Sequence, residues 1–153
     1  MKLDQPALQQ LHAYWESRRG ADRPYPARDQ IDPLDLRFIL GSLILLDVEP
    51  QPLRYRYRLF GSDIARRQGF DMTGKYLDQH PWPELAAMAR ETYGQVLASG
   101  KPSLIRRHGL IDDQYVDHVS LILPLGHAKV EMLLAGVVFT PLARDTHPAA
   151  PAS

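Results

Sequence analysis

Cysteine is absent from the 153 residues. That excludes disulfides, thiolate metal sites and a cysteine nucleophile, and it fits a reducing compartment. An excess of charge is missing as well, since eighteen basic side chains face eighteen acidic ones. No broad electrostatic pull toward nucleic acid or an anionic membrane is expected. The longest apolar runs, around 43–46 and 133–139, are far short of a membrane span. No apolar run follows Lys2 either, so a secretory leader is not expected and a soluble cytoplasmic protein is. The chain also lacks a glycine-rich phosphate loop, a Gly-x-Ser-x-Gly turn and a His-Glu-x-x-His pair. His108, His118 and His127 do not have tight ligand spacing, so no metal site is expected.

What is present suffices for one domain, because a chain of this length buries roughly two thirds of its unfolded surface. Asp4 is the expected cap of a first helix over 5–19, with Pro6 in the opening turn and Leu8, Leu11 and Trp15 on one stripe. Asp32-Pro33 opens a second helix, with Leu34, Phe38 and Ile39 as its apolar face and its end near Gly41. Residues 43–48 and 54–59 read as paired strands around Pro50-Gln51-Pro52. Short helical pieces are expected over 62–68 and 71–79. A long helix follows over 83–99, closed by Gly100 and Pro102. Three strands, 103–109, 114–124 and 130–140, turn at Asp112-Asp113 and Gly126-His127. The Ala/Pro-rich residues 145–153 are expected to be a disordered tail to a domain over 1–144, whose helical extension spans about 5–41.

In 119–123 and 132–139, apolar residues occupy both alternating positions, whereas a strand with one wet face alternates cleanly. Both faces of this sheet are therefore expected to be covered. The long helix covers one. The stripe Leu8, Leu11, Trp15 is the candidate for the other, either within the chain or from a dimer mate.

Two strands, short helices, a long helix and a three-strand meander is the order of a PAS domain. Tyr14-Trp15, Asp32-Pro33, Tyr57-Arg58-Leu59-Phe60-Gly61-Ser62 and Thr73-Gly74-Lys75 resemble a bacterial subfamily of small stand-alone PAS proteins, over about residues 5–142. The resemblance implies an α+β fold. A five-stranded antiparallel sheet would carry the short helices and the long helix on one face and the N-terminal helix on the other. It also implies a sensory module that binds a small molecule or a protein, often as a homodimer. No kinase, cyclase or DNA-binding segment is expected within these residues, so output would pass to a separate signalling protein. Flavin photochemistry through a cysteinyl adduct is excluded by the lack of cysteine. His80, flanked by Pro81 and Trp82 before the long helix, is where a haem ligand would come from. Position alone does not make it one, and a surface or capping role is the reading adopted.

Tyr55, Tyr57 and Leu59 alternate with Arg54, Arg56 and Arg58. With the tyrosines inward, their hydroxyls would orient a ligand or simply fill the core. Arg58 would need a carboxylate, for which Asp32 or Asp35 is the expected clamp partner; an anionic ligand is the alternative. His118, mid-strand, reads as a core histidine or a ligand contact. Trp82 and Met88 either line a pocket or fill it. The basic pairs Arg18-Arg19, Arg66-Arg67 and Arg106-Arg107 read as solvated faces rather than a phosphate site. Two alternatives remain open at this point. One is a filled-core interaction scaffold. The other is a small cone-fold enzyme of the ketosteroid-isomerase kind, an isomerase or hydratase for which Asp117 would be the only mid-strand base in the last three strands.

Overall fold

The computed structural model describes residues 1–140; the expected tail at 145–153 lies outside the described residues. The first helix, α1 (Pro6–Arg19), starts with proline in its opening turn and stops at Gly20, at φ 78°. Gln5 rather than Asp4 is the capping residue, and it makes no side-chain capping bond. Asp32 does cap, accepting from the Leu34 N–H at 2.9 Å. The expected second helix is nevertheless only a 3-10 turn, Pro33–Leu36, followed by another at Leu40–Ser42. Leu34 and Phe38 face solvent while Leu36 and Ile39 are buried. The buried spacing is three, which suits 3-10 geometry and leaves no wide apolar face to hold an α-helix.

Strands β1 (Leu43–Pro50) and β2 (Leu53–Phe60) form a hairpin. After it come helices α2 (Ser62–Gln68) and α3 (Pro83–Ser99), then strands β3 (Ser103–Ile111), β4 (Gln114–Gly126) and β5 (Val130–Phe139). The sheet order is β2-β1-β5-β4-β3, antiparallel at every junction. Residues 71–76 are not helical. Asp71 closes a turn on the Thr73 N–H, and Gly74 sits at φ 82°. The backbone of Gly74 and Lys75 then bonds that of Tyr57 and occupies the β2 edge, which would otherwise expose unpaired amides. Only Leu77–Gln79 forms a 3-10 turn.

Both sheet faces are sealed. On one, α3 and α2 pack over Ile44, Ile122, Ala135 and Val137. On the other, α1 lays Leu8, Leu11 and Trp15 on the sheet of its own chain, all three buried. The fit is close at Gly136, where an added methyl would stand 2.8 Å from a Leu11 carbon and 2.9 Å from a Leu8 carbon. Trp15 Nε1–H donates to the Pro124 carbonyl at 3.0 Å.

The long helix takes its cap from a distant turn. The Glu84 and Leu85 N–H groups donate to the two oxygens of Asp112, at 3.0 and 2.9 Å. Asp112 lies in the β3–β4 turn at φ 53°. Asp112→Gly keeps that backbone accessible but removes the cap. It should cost about 1–2 kcal/mol in urea unfolding, through two lost amide acceptors and a lost charge at the helix N-terminus.

Candidate functional site

The pleat sends Tyr55 and Tyr57 to the α3 side. A bulge then changes the phase, since Leu45 pairs with Leu59 but Leu46 pairs with Tyr57. Phe60, not Leu59, therefore shares the inner face with the tyrosines. Arg58 falls on the outer face, with its side chain 51% exposed, and pairs with Asp47 at 2.9 Å. The expected clamp to Asp32 or Asp35 does not form. Asp35 instead accepts from Tyr14 Oη–H at 2.9 Å and pairs with Arg18, and the Asp32 N–H donates to Tyr14 Oη.

Between the sheet and α3 lies a cavity of about 60 Å³. Its wall is mostly apolar, with Ile44, Phe60, Ile64, Leu77 and Ile122, and into it reach Tyr57, Gln68, His80, Arg107, His118 and Ser120. Tyr55 does not line it and packs its ring on Tyr93 at 5.3 Å, so it is a core residue. Trp82 lies against Phe70 at an outer cleft, and Met88 packs with Leu85, Ile111 and Val116 at the far end of the sheet; neither lines the cavity. The polar cavity residues missed by sequence are Gln68, Arg107 and Ser120. The alternation of β3 carried the only available signal, because it sends Arg106 outward to Asp117 and Arg107 inward.

Burial sets the electrostatics of the site. His118 is 5% exposed, and burial, then the neighbouring Arg107 charge, hold its pKa down at about 4. Burial also pulls Arg107 below its ordinary value. Tyr93 is pushed up to about 12 by burial, and Tyr57 rises well above 10 for the same reason and through the Tyr93 hydroxyl beside it. His80 Nδ1 accepts the Trp82 N–H at 2.9 Å, which is a capping role, and burial lowers its pKa. Tyr55 Oη, Gln68 Oε1 and His118 Nδ1 are buried without a partner among the described residues, and the last two belong to residues that line the cavity. Haem or flavin does not fit, for a cavity of about 60 Å³ is well short of a large cofactor's site. Asp117 pairs with Arg106 and His108 and does not line the cavity. The three basic pairs do not converge. Arg18, Arg19, Arg66 and Arg106 each hold a carboxylate, while Arg67 covers the Phe139 ring.

Sheet order, the helices on one face and a small cavity beneath them define a sensory-domain fold. A family profile described as a PAS domain matches residues 3–149, and the chain belongs to that family. Two solved structures share the fold. The PAS domain from Bordetella pertussis BvgS superposes with a TM-score of 0.51 at 17% identity, over 74% of this chain and 90% of that one. The RsLOV structure does so with a TM-score of 0.50 at 13% identity, over 94% and 73%. No curated protein matches the chain. The family match sets aside the cone fold, and the protein is a sensory signalling module of the PAS class. Among the described residues no helix is long and apolar enough to cross a membrane.

Proposed function

We propose that the chain is a non-catalytic PAS sensor that takes a small molecule in the cavity under α3 and passes its state to a separate protein partner in a reducing compartment. The observation that carries this reading is the convergence of polar groups on an apolar cavity. Tyr57, Gln68, Arg107 and His118 reach the same space, two of them with buried atoms that no described residue satisfies. Buried polar atoms without partners are rare, and two of them at the edge of one apolar cavity are what a ligand site would supply with partners. The cavity also exceeds the roughly 10–15 Å³ that one water requires. Of the bulky side chains that would fill a scaffold core, Trp82, Met88, Met132 and Phe139 do not line the cavity, and Tyr93 alone does.

A homodimer is part of the proposal, but not through Leu8, Leu11 and Trp15, which are spent on their own sheet. Leu34, Phe38 and Leu40 are exposed and apolar and provide the alternative surface. Native mass spectrometry of freshly purified protein tests both parts. A small-molecule adduct that disappears on denaturation is expected, on a particle of twice the chain mass. An adduct-free spectrum, with no metabolite shifting the melting temperature, would leave only the filled scaffold. A monomeric particle would remove the dimer.

A further inference from the structure

Arg107 and His118 are register partners on β3 and β4, so their side chains stand side by side on the cavity face. This places a fixed cation beside a group that can become one, with no anion between them. The one hydrogen bond that the Arg107 guanidinium makes among the described residues goes to Thr92 Oγ1 at 3.1 Å. Asp117 is held by Arg106 and His108, and Glu91 on α3, whose charge favours the Arg107 cation, is exposed and forms no ion pair among the described residues. A half-buried guanidinium with most of its five donors unserved is costly unless an anion meets it.

An outer cleft of about 420 Å³, bordered by Arg66, Arg67 and Trp82, lies beside the inner cavity. Gln68 and His118 line both spaces, and they are the residues whose buried Oε1 and Nδ1 lack partners. One hydroxyl at that seam would serve both, donating to Gln68 Oε1 and accepting from Nδ1–H of a neutral His118. A water would do this too, but it would bring no charge to Arg107.

Resting on the reading of the cavity as a ligand site, we propose that its ligand is a small 2-hydroxy acid. Arg107 holds the carboxylate, Gln68 and His118 hold the hydroxyl, and the molecule enters past Arg66 and Arg67. The size of the cavity restricts it to a short-chain acid. The doubled donor set selects charge first and the hydroxyl second.

Three probes of nearly equal size separate these terms: lactate (both enantiomers), lactamide and propionate. Titration calorimetry on the full chain should show lactate binding, with lactamide weaker by about 30-fold or more for the lost ion pair. Propionate should be weaker by about 10-fold for the lost hydroxyl. Lactate should also move the His118 ring resonances in NMR. Arg107→Gln should erase the preference for lactate over lactamide. If that variant does not fold, Arg107→Lys keeps the charge and should retain the preference at reduced affinity. Lactamide binding as tightly as lactate, or lactate binding undiminished by Arg107→Gln, would overturn the proposal. So would a failure of all three probes to bind. In that last case native mass spectrometry tells the two readings apart. A bound neutral metabolite would keep the sensory cavity and discard the hydroxy acid, whereas an empty protein that no metabolite stabilises would discard both.

Discussion

Trp15→Ala should destabilise the protein by about 3–5 kcal/mol, as measured by urea unfolding. Trp15 is 2% exposed at the C-terminal end of the α1 stripe, beside the Pro124 carbonyl that its indole N–H satisfies. Truncation opens a large cavity between α1 and the sheet and leaves that carbonyl unpaired, which adds about 1 kcal/mol. The loss should not stay local. Leu121, Leu123 and Leu134 lie on the face that α1 covers, in register with one another and with Gly136, and lifting the helix wets them. Hydrogen exchange at the β4 and β5 amides should therefore quicken together with the drop in stability. Trp15→Phe keeps most of the buried area, loses the hydrogen bond and should cost about 1–2 kcal/mol. A Trp15→Ala protein within about 1 kcal/mol of wild type would mean that α1 is an appendage rather than the second layer of the fold.

The second large effect is a loss of stability in mild acid that belongs to His118. Its folded pKa is about 4, depressed first by burial and then by Arg107; an unfolded histidine titrates near 6.5. As pH falls below about 6.5, the unfolded chain takes up a proton that the folded chain refuses, so acid favours unfolding. This contribution is fully present above about pH 6.5 and is lost as pH falls through the folded value, on the order of 3 kcal/mol in all. The groups around the ring are Arg107 on β3, Asp117 beside it on β4, Gln68 on α2 and Phe139 on β5. None is a carboxylate bonded to the imidazole; Asp117 favours the charged form through its charge alone, which burial and Arg107 outweigh. His118→Gln cannot titrate, and its stability should fall less between pH 7 and pH 4.5 than that of wild type. Identical pH dependence in the two proteins would show that the ring is hydrated and ordinary. An anion seated between Arg107 and His118 would weaken the effect, so the profile should flatten in saturating lactate.

How far the chain could be read depended on whether a feature was local. The 3.6-residue stripe of α1, the bounds of α3 and the doubly apolar β4 and β5 were all legible, because each rests on neighbours a few positions apart. The second helix failed because Asp32-Pro33 starts a helix without supplying a face to keep it. Leu59 was misplaced because one bulge reverses every side chain beyond it, and nothing in the alternation of tyrosine and arginine announces a bulge; Arg58 kept its face, but its partner, Asp47 on the neighbouring strand, was not foreseen. His118 was legible as a buried histidine, but its partner was not. Arg107 looked like half of a basic pair until pairing across the β3–β4 hairpin put it next to the imidazole.

Composition and spacing alone thus established a chain without cysteine, the order of its strands and of α1 and α3 among them, and a sheet with two dry faces, because backbone periodicity and apolar count act within a single segment. Tertiary packing decided that α1 closes its own sheet, which strand face became the cavity wall, and which polar groups meet there. Those depend on register, on a bulge and on contacts between residues up to 109 positions apart, and no local pattern encodes the direction from which a distant side chain will arrive.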